Sequence, residues 1–166
     1  MLVLREEVIL KNLWTDFTNF SHTLMNEIRV NANNCFVCGP HNPIGLRLSF
    51  EIHDDICLSH FTPESNHCGY DGITHGGIIF SALDDVMANW LFLKGLVAFT
   101  AKCEIRYRDK LQIGERVRLE GRCLKRKARL TQMQGLLIHE GKNQIIAEAE
   151  ATFMVSTMST NSTEAS

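Results

Sequence analysis

The sequence of 166 residues has no surplus of charge of either sign: 17 Lys and Arg stand against 19 Asp and Glu, a net −2 with histidine neutral. That near-balance argues against a protein built chiefly to coat nucleic acid. A long unbroken apolar run is also lacking. The longest apolar stretch, Ile78 to Leu93, is interrupted by Ser81, Asp84, Asp85 and Asn89, and reads as too short and too polar to cross a bilayer. No export signal is visible, because Arg5, Glu6 and Glu7 break the apolar start that a signal-peptide core requires. The expected location is therefore the cytoplasm, and the six cysteines read as reduced thiols rather than a disulfide framework. With 45% hydrophobic and 22% charged residues, the composition excludes disorder, collagen-like repeats and coiled coil. One globular domain with a sizeable core is what remains.

The charge is unevenly placed. Residues 102–129 hold eleven Lys or Arg and four Asp or Glu, a local +7 that leaves −9 on the rest of the chain. Such a segment suits a local anionic partner, such as a phosphorylated cofactor, or equally a strand pair with a solvated basic face.

Apolar spacing over residues 2–30 predicts a helix carrying Leu13, Trp14, Phe17 and Phe20 on one stripe. Residues 31–45 are dense in Asn, Gly and Pro and read as a loop. Alternation of Leu46, Leu48, Phe50 and Ile52 predicts a strand, and Ile56 to Phe61 a second, joined through Asp54-Asp55. A helix follows from about Gly76 to Lys94, with Gly95 as its stop signal. Period-two patterns then recur to Phe153, predicting four long strands with one face covered. The fold class is α+β: a curved antiparallel sheet wrapped around a single buried helix. The divisions are an N-terminal helical extension over 1–32, the main domain over 33–156 and a disordered polar tail over 157–166.

Chemistry concentrates at the start of that helix. Ile79, Ala82, Leu83, Val86, Met87, Trp90 and Leu93 cover most of its circumference, and Ser81, Asp84 and Asp85 fall within about 100° of the remainder. A carboxylate on a buried helix is costly unless paired or functional. Gly76 and Gly77, without Cβ atoms, let a ligand approach backbone N–H groups at the positive end of the helix dipole. Such groups suit a developing oxyanion, although a Gly-Gly pair also serves simply to make a tight junction.

His75-Gly76-Gly77, the downstream Asp84, the CFVCGPHNPIGLRL block (Cys35 to Leu48) and TAKCEIRYRDKLQIGE (Thr100 to Glu115) occur in this order. Together they resemble the hotdog-fold acyl-CoA thioesterases, in style the PaaI-like group of the phenylacetate pathway, over roughly residues 33–156. The resemblance implies metal-free hydrolysis of an acyl-CoA to free acid and coenzyme A, with no cofactor beyond the coenzyme A of the substrate. It implies Asp84 as general base or nucleophile, Gly76 or Gly77 as the oxyanion donor, and His75 as a residue that orders the loop. Asp85 becomes a helix-surface or supporting residue. Relatives often carry Asn or Gln just upstream of the histidine; here Cys68 and Gly69 stand nearest, with Asn66, His67 and Asp71 as possible substitutes. Further substrate-binding candidates are Thr100, Arg106 and Arg108. Lys125, Arg126 and Lys127, placed in a turn between late strands, suit the phosphates of coenzyme A or a plain charged hairpin.

Gly76 and Asp84 are eight residues apart, about 12 Å along a helix, too far for both to reach one thioester carbon. Two antiparallel copies of the helix resolve this, giving a homodimer, possibly a dimer of dimers, with each site shared. Neither nucleic acid nor membrane is an expected partner. Cys35 and Cys38 form one CxxC pair; a structural zinc site wants four ligands, with only His41 and His67 to complete it, so a structural turn and no metal is the expectation. The alternative from another class is a catalytically weak acyl-CoA-binding or regulatory protein on the same fold.

Overall fold

A computed structural model describes residues 32–156, so the helix expected over 2–30 and the tail expected over 157–166 lie outside the described residues. Strands β1 (Glu51–His53) and β2 (Ile56–Phe61) form a hairpin, followed by a single 3-10 turn at Ser65–His67. Helix α1 (Gly76–Leu93) comes next, then β3 (Val97–Tyr107), β4 (Val117–Lys127), β5 (Leu130–His139) and β6 (Gln144–Ser156). All six strands join one sheet in the order β1-β2-β4-β5-β6-β3, and every neighbouring pair is antiparallel. Helix α1 packs against all six. The expected sheet around one helix is the observed fold.

In β4 and β6 the inward positions are those the alternation marks, whereas Ala101 and Tyr107 of β3 are exposed. Val117 and Leu119 of β4, Met133 and Leu137 of β5, and Ala147, Ala149, Ala151 and Phe153 of β6 are buried against Leu83, Val86, Met87 and Leu91 of α1. A row of small residues runs across the sheet beneath the helix, since Cys57 is paired with Gly121, Gly121 with Gly135, and Gly135 with Ala149. A Cβ on Gly121 would lie 2.6 Å from the Val86 carbonyl oxygen, whereas one on Gly135 would meet the flexible Leu83 side chain at 3.2 Å. The helix backbone rests on Gly121 itself. Gly121→Ala is therefore expected to destabilise the fold by ~3 kcal/mol, the upper part of the overpacking range. Gly135→Ala should cost less, and the order is read from urea midpoints.

The helix is pinned at both ends. At its C-terminus Gly95 takes φ +76°, while Trp90 Nε1 donates to the Asp55 carbonyl at 2.7 Å and Lys94 Nζ meets Asp55 Oδ1 at 2.6 Å. Asp54 and Asp55 both have positive φ, the conformation a two-residue hairpin turn demands.

Three sequence expectations need correction. Of the 46–52 run only Glu51 and Ile52 are strand, as part of β1. Leu46 and Leu48 instead donate their N–H groups to Phe36 and Val37, and Arg47 takes φ +55°. Alternation there reported which side chains face the core, not a ladder. Lys125, Arg126 and Lys127 end β4 itself, the turn being Ala128 with φ +52° and Arg129. Finally, α1 has a mean hydropathy of 1.3 over 18 residues, long and apolar enough for a membrane span by composition alone. The sheet buries 44% of that window, with Ile79, Leu83, Val86, Met87 and Leu91 among the buried residues.

Candidate active site

Helix α1 begins on His75, whose extended backbone and side chain cap it: His75 Nδ1 accepts from the Gly77 N–H at 2.9 Å. A ring nitrogen that accepts is unprotonated, which leaves the other nitrogen of the neutral ring as the donor. The His75 carbonyl accepts from Ile78 at 3.0 Å, and Tyr107 Oη donates to the Gly76 carbonyl at 2.8 Å. These bonds leave the Gly76 N–H as the donor in this turn that has no acceptor among the described residues. The two glycines are thus inequivalent: the Gly77 N–H is occupied by the cap, and the Gly76 N–H is open.

Two turns on, Asp84 Oδ1 accepts from Thr100 Oγ1 at 2.8 Å. The other carboxylate oxygen of Asp84 has no hydrogen bond among the described residues. Burial raises the Asp84 carboxyl above its ordinary range and the Thr100 bond opposes the shift. Thr100 stands at a bulge in β3, where the pairing with β6 slips between Thr100 and Lys102. Bulges re-aim side chains, and this one sits beside Asp84.

Asp84 and Asp85 are both half-buried, and of the two expectations for Asp85, helix surface or supporting residue, its contacts with Asn89 and Cys35 fit the second. Burial first, with the Asp84 charge adding, pushes its carboxyl up to about 6, against the lowering bonds from Cys38 and Asn89. Asn89 Nδ2 holds Asp85 Oδ2 at 3.0 Å, and Cys35 Sγ lies 4.0 Å from Asp85 Oδ1. That upward shift alone would select Asp85 as the reactive carboxylate. Its oxygens are enclosed by Cys35, Cys38 and Asn89, whereas Asp84 opens toward exposed Thr100. Cys35, Cys38 and Asp85 are also the one group among the described residues whose donor atoms cluster as a metal would need.

The remaining sequence candidates divide by position. Asn66 and His67 form the 3-10 turn, and the His67 carbonyl accepts from the His75 N–H at 2.8 Å, so this loop abuts the helix start. His67 Nδ1 is engaged by the Glu64 N–H at 2.9 Å. Arg106 and Arg108 lie near the Tyr107 end of β3, with Arg108 paired to Glu148. Arg126 is in register with Thr131, Thr131 with Phe153, and Phe153 with Thr100. The basic cluster of β4 therefore shares the Thr100 end of the sheet, three strands away. Arg106 and Arg108 are at the other end. Sequence reasoning missed Tyr107 as a partner of Gly76, since nothing local signals that contact.

Residues 71–146 match the family model described as thioesterase superfamily. Solved structures described as thioesterases share the fold of this chain. A hypothetical thioesterase protein of Streptococcus pneumoniae, solved with coenzyme A, is 18% identical with a TM-score of 0.62, over 66% of this chain and 88% of that one. The pneumococcal protein has also been solved with an aspartate and with a threonine replaced by alanine, at positions sixteen residues apart. A Streptococcus mutans protein bound to acetyl-CoA is 20% identical with a TM-score of 0.61, over 66% of this chain and 88% of that one. A phenylacetic acid degradation-related protein of Ralstonia eutropha is 23% identical with a TM-score of 0.60, over 66% of this chain and 86% of that one. No curated protein matches the chain.

Proposed function

We propose that this protein is an acyl-CoA thioesterase that hydrolyses its substrate to a free acid and coenzyme A. The observation that carries the reading is the Asp84–Thr100 pair at the open face of α1, in a segment that matches the thioesterase-superfamily model. Its sixteen-residue spacing equals that of the aspartate and threonine replaced in the pneumococcal protein, and that relative and the Streptococcus mutans one were solved with coenzyme A and acetyl-CoA.

In this reading Thr100 fixes Asp84 Oδ1, and the unengaged oxygen accepts a proton from water as that water attacks the thioester carbon. The Gly76 N–H, at the positive end of the helix, takes the negative charge that develops on the thioester oxygen. The C–S bond then breaks, and the departing thiolate recovers the proton held by Asp84. His75 keeps Gly77 bound to the cap and so holds the loop shape, and Lys125, Arg126 and Lys127 meet the coenzyme's phosphates. Asn66 and His67, beside the helix start, take the part of the missing upstream Asn or Gln.

Each site takes its parts from two chains. Within one chain, Gly76 and Asp84 lie about 12 Å apart along the helix. Strand β3 forms one edge of the six-stranded sheet, with Thr100 near one end and Tyr107 at the other. A two-fold axis pairing β3 with its copy near Cys103 and Glu104 brings the Asp84–Thr100 end of one protomer to the Gly76–Tyr107 end of its partner. Exposed Phe99 and Tyr107 on this strand supply apolar surface to such an interface.

The test is release of free thiol from a panel of acyl-CoAs of graded chain length and aromatic character. Turnover of at least one of them is expected. Binding without turnover across the whole panel would replace this reading with that of an acyl-CoA-binding protein.

A further inference from the structure

The loop ahead of β1 carries a feature the thioesterase reading does not use. Cys35, Cys38 and Gly39 form a C-x-x-C-G turn that folds tightly back on itself: the Gly39 N–H donates to the Cys35 carbonyl at 3.0 Å. A Cβ on Gly39 would lie 2.4 Å from the Cys35 nitrogen and 2.5 Å from its oxygen, so only glycine closes this turn. The Val37 N–H donates to Cys35 Sγ at 3.4 Å. Both cysteines are partly buried and neither is in a disulfide.

Asp85 reaches this turn from fifty residues away. Its Oδ1 lies 4.0 Å from Cys35 Sγ, and the donor atoms of Cys35, Cys38 and Asp85 all fall within 4.8 Å of one another. A tetrahedral zinc ion with Zn–S of about 2.3 Å and Zn–O of about 2.0–2.2 Å sets its ligand atoms roughly 3.5–3.8 Å apart. Small side-chain adjustments span the difference. The carboxylate is also oriented for the task, since Asn89, itself buried, holds Asp85 Oδ2 at 3.0 Å and leaves Oδ1 facing the sulfurs. Among the described residues no cationic side chain pairs with Asp85. A half-buried carboxylate against two thiols, with no counter-charge, is what a dication would complete.

We propose that Cys35, Cys38 and Asp85 bind one divalent ion of zinc type, with the fourth position open to water, and that the ion ties the 32–48 loop to helix α1. His41 and His67, the residues the sequence offers to complete a site with these cysteines, stand outside the cluster. Asp84 points to Thr100 and is not a ligand, so the ion is independent of the thioesterase reading.

The full chain, reduced and stripped with chelator, is titrated with Co²⁺ as a spectroscopic probe. One Co²⁺ per chain is expected, with near-ultraviolet thiolate-to-cobalt absorption that Zn²⁺ displaces. Cys38→Ser should abolish the band, and Cys68→Ser, at an exposed cysteine, should leave it. The near-isosteric Asp85→Asn should weaken Co²⁺ binding by about tenfold or more, with unchanged circular dichroism. Zn²⁺ should raise the Tm of the wild type. Absence of thiolate absorption, a band that survives Cys38→Ser, or unchanged affinity in folded Asp85→Asn would each overturn the site. So would oxidation to a Cys35–Cys38 disulfide in a protein that takes up no cobalt when reduced.

Discussion

Asp84→Asn should lower thioester turnover by about 10²–10⁴-fold, the range for loss of a positioned acid–base group, with coenzyme A binding retained. The amide keeps the hydrogen bond from Thr100 Oγ1 and the shape of the carboxylate, but it cannot accept a proton from water. Thr100→Val leaves the carboxylate in place and removes its anchor, so a loss of roughly tenfold is expected, equivalent to one hydrogen bond to a charged group. Asp85→Asn should cost far less than Asp84→Asn, because the Asp85 oxygens face Cys35, Cys38 and Asn89 rather than exposed Thr100. Steady-state kcat for the three variants, each with its urea midpoint, separates chemistry from folding. Equal losses at Asp84 and Asp85 would remove the assignment.

Gly76→Val should lower kcat by about 10²–10³-fold, as removal of access to one oxyanion donor does. The first new carbon would lie 3.2 Å from Tyr107 Oη and 3.4 Å from Cζ, at the end of a side chain that can yield. The branched side chain would then stand over the N–H that the cap leaves open. Gly77→Ala presses instead on His75, 3.0 Å from its Nδ1, and loosens the cap without covering that donor. Its effect should appear mainly in stability, on the order of 1 kcal/mol, the worth of a helix cap. A Gly76→Val enzyme of wild-type rate would exclude the Gly76 N–H from the reaction.

Much of this was legible in the chain because the physics is local. The period-two runs of β4 and β6 identify inward residues correctly, Val117 and Leu119 in one and Ala147, Ala149, Ala151 and Phe153 in the other, since a covered antiparallel sheet must alternate. The helix from Gly76 declares itself through its apolar circumference and through Gly95 at its end. What sequence hides is the meeting of distant parts. The 46–50 segment alternates like a strand, yet its N–H groups go to Phe36 and Val37, a partner that spacing does not reveal. Which glycine is open depends on the His75 ring, and Asp85 gains its character from cysteines fifty residues upstream. Adjacent aspartates look alike in sequence; their neighbours across the fold make them different.

The central claim, one site built from two protomers, is tested most directly by mixing two inactive variants. Asp84→Asn protomers retain an intact Gly76, and Gly76→Val protomers retain Asp84. Random exchange makes about half of the dimers mixed, and in each of these one of the two sites has both elements intact. Thiol release should therefore recover to about a quarter of the wild-type rate for equal total protein, with each unmixed variant nearly inactive. A mixture that stays inactive, with mixed dimers confirmed by mass, would contradict the shared site and require both groups to act within one chain.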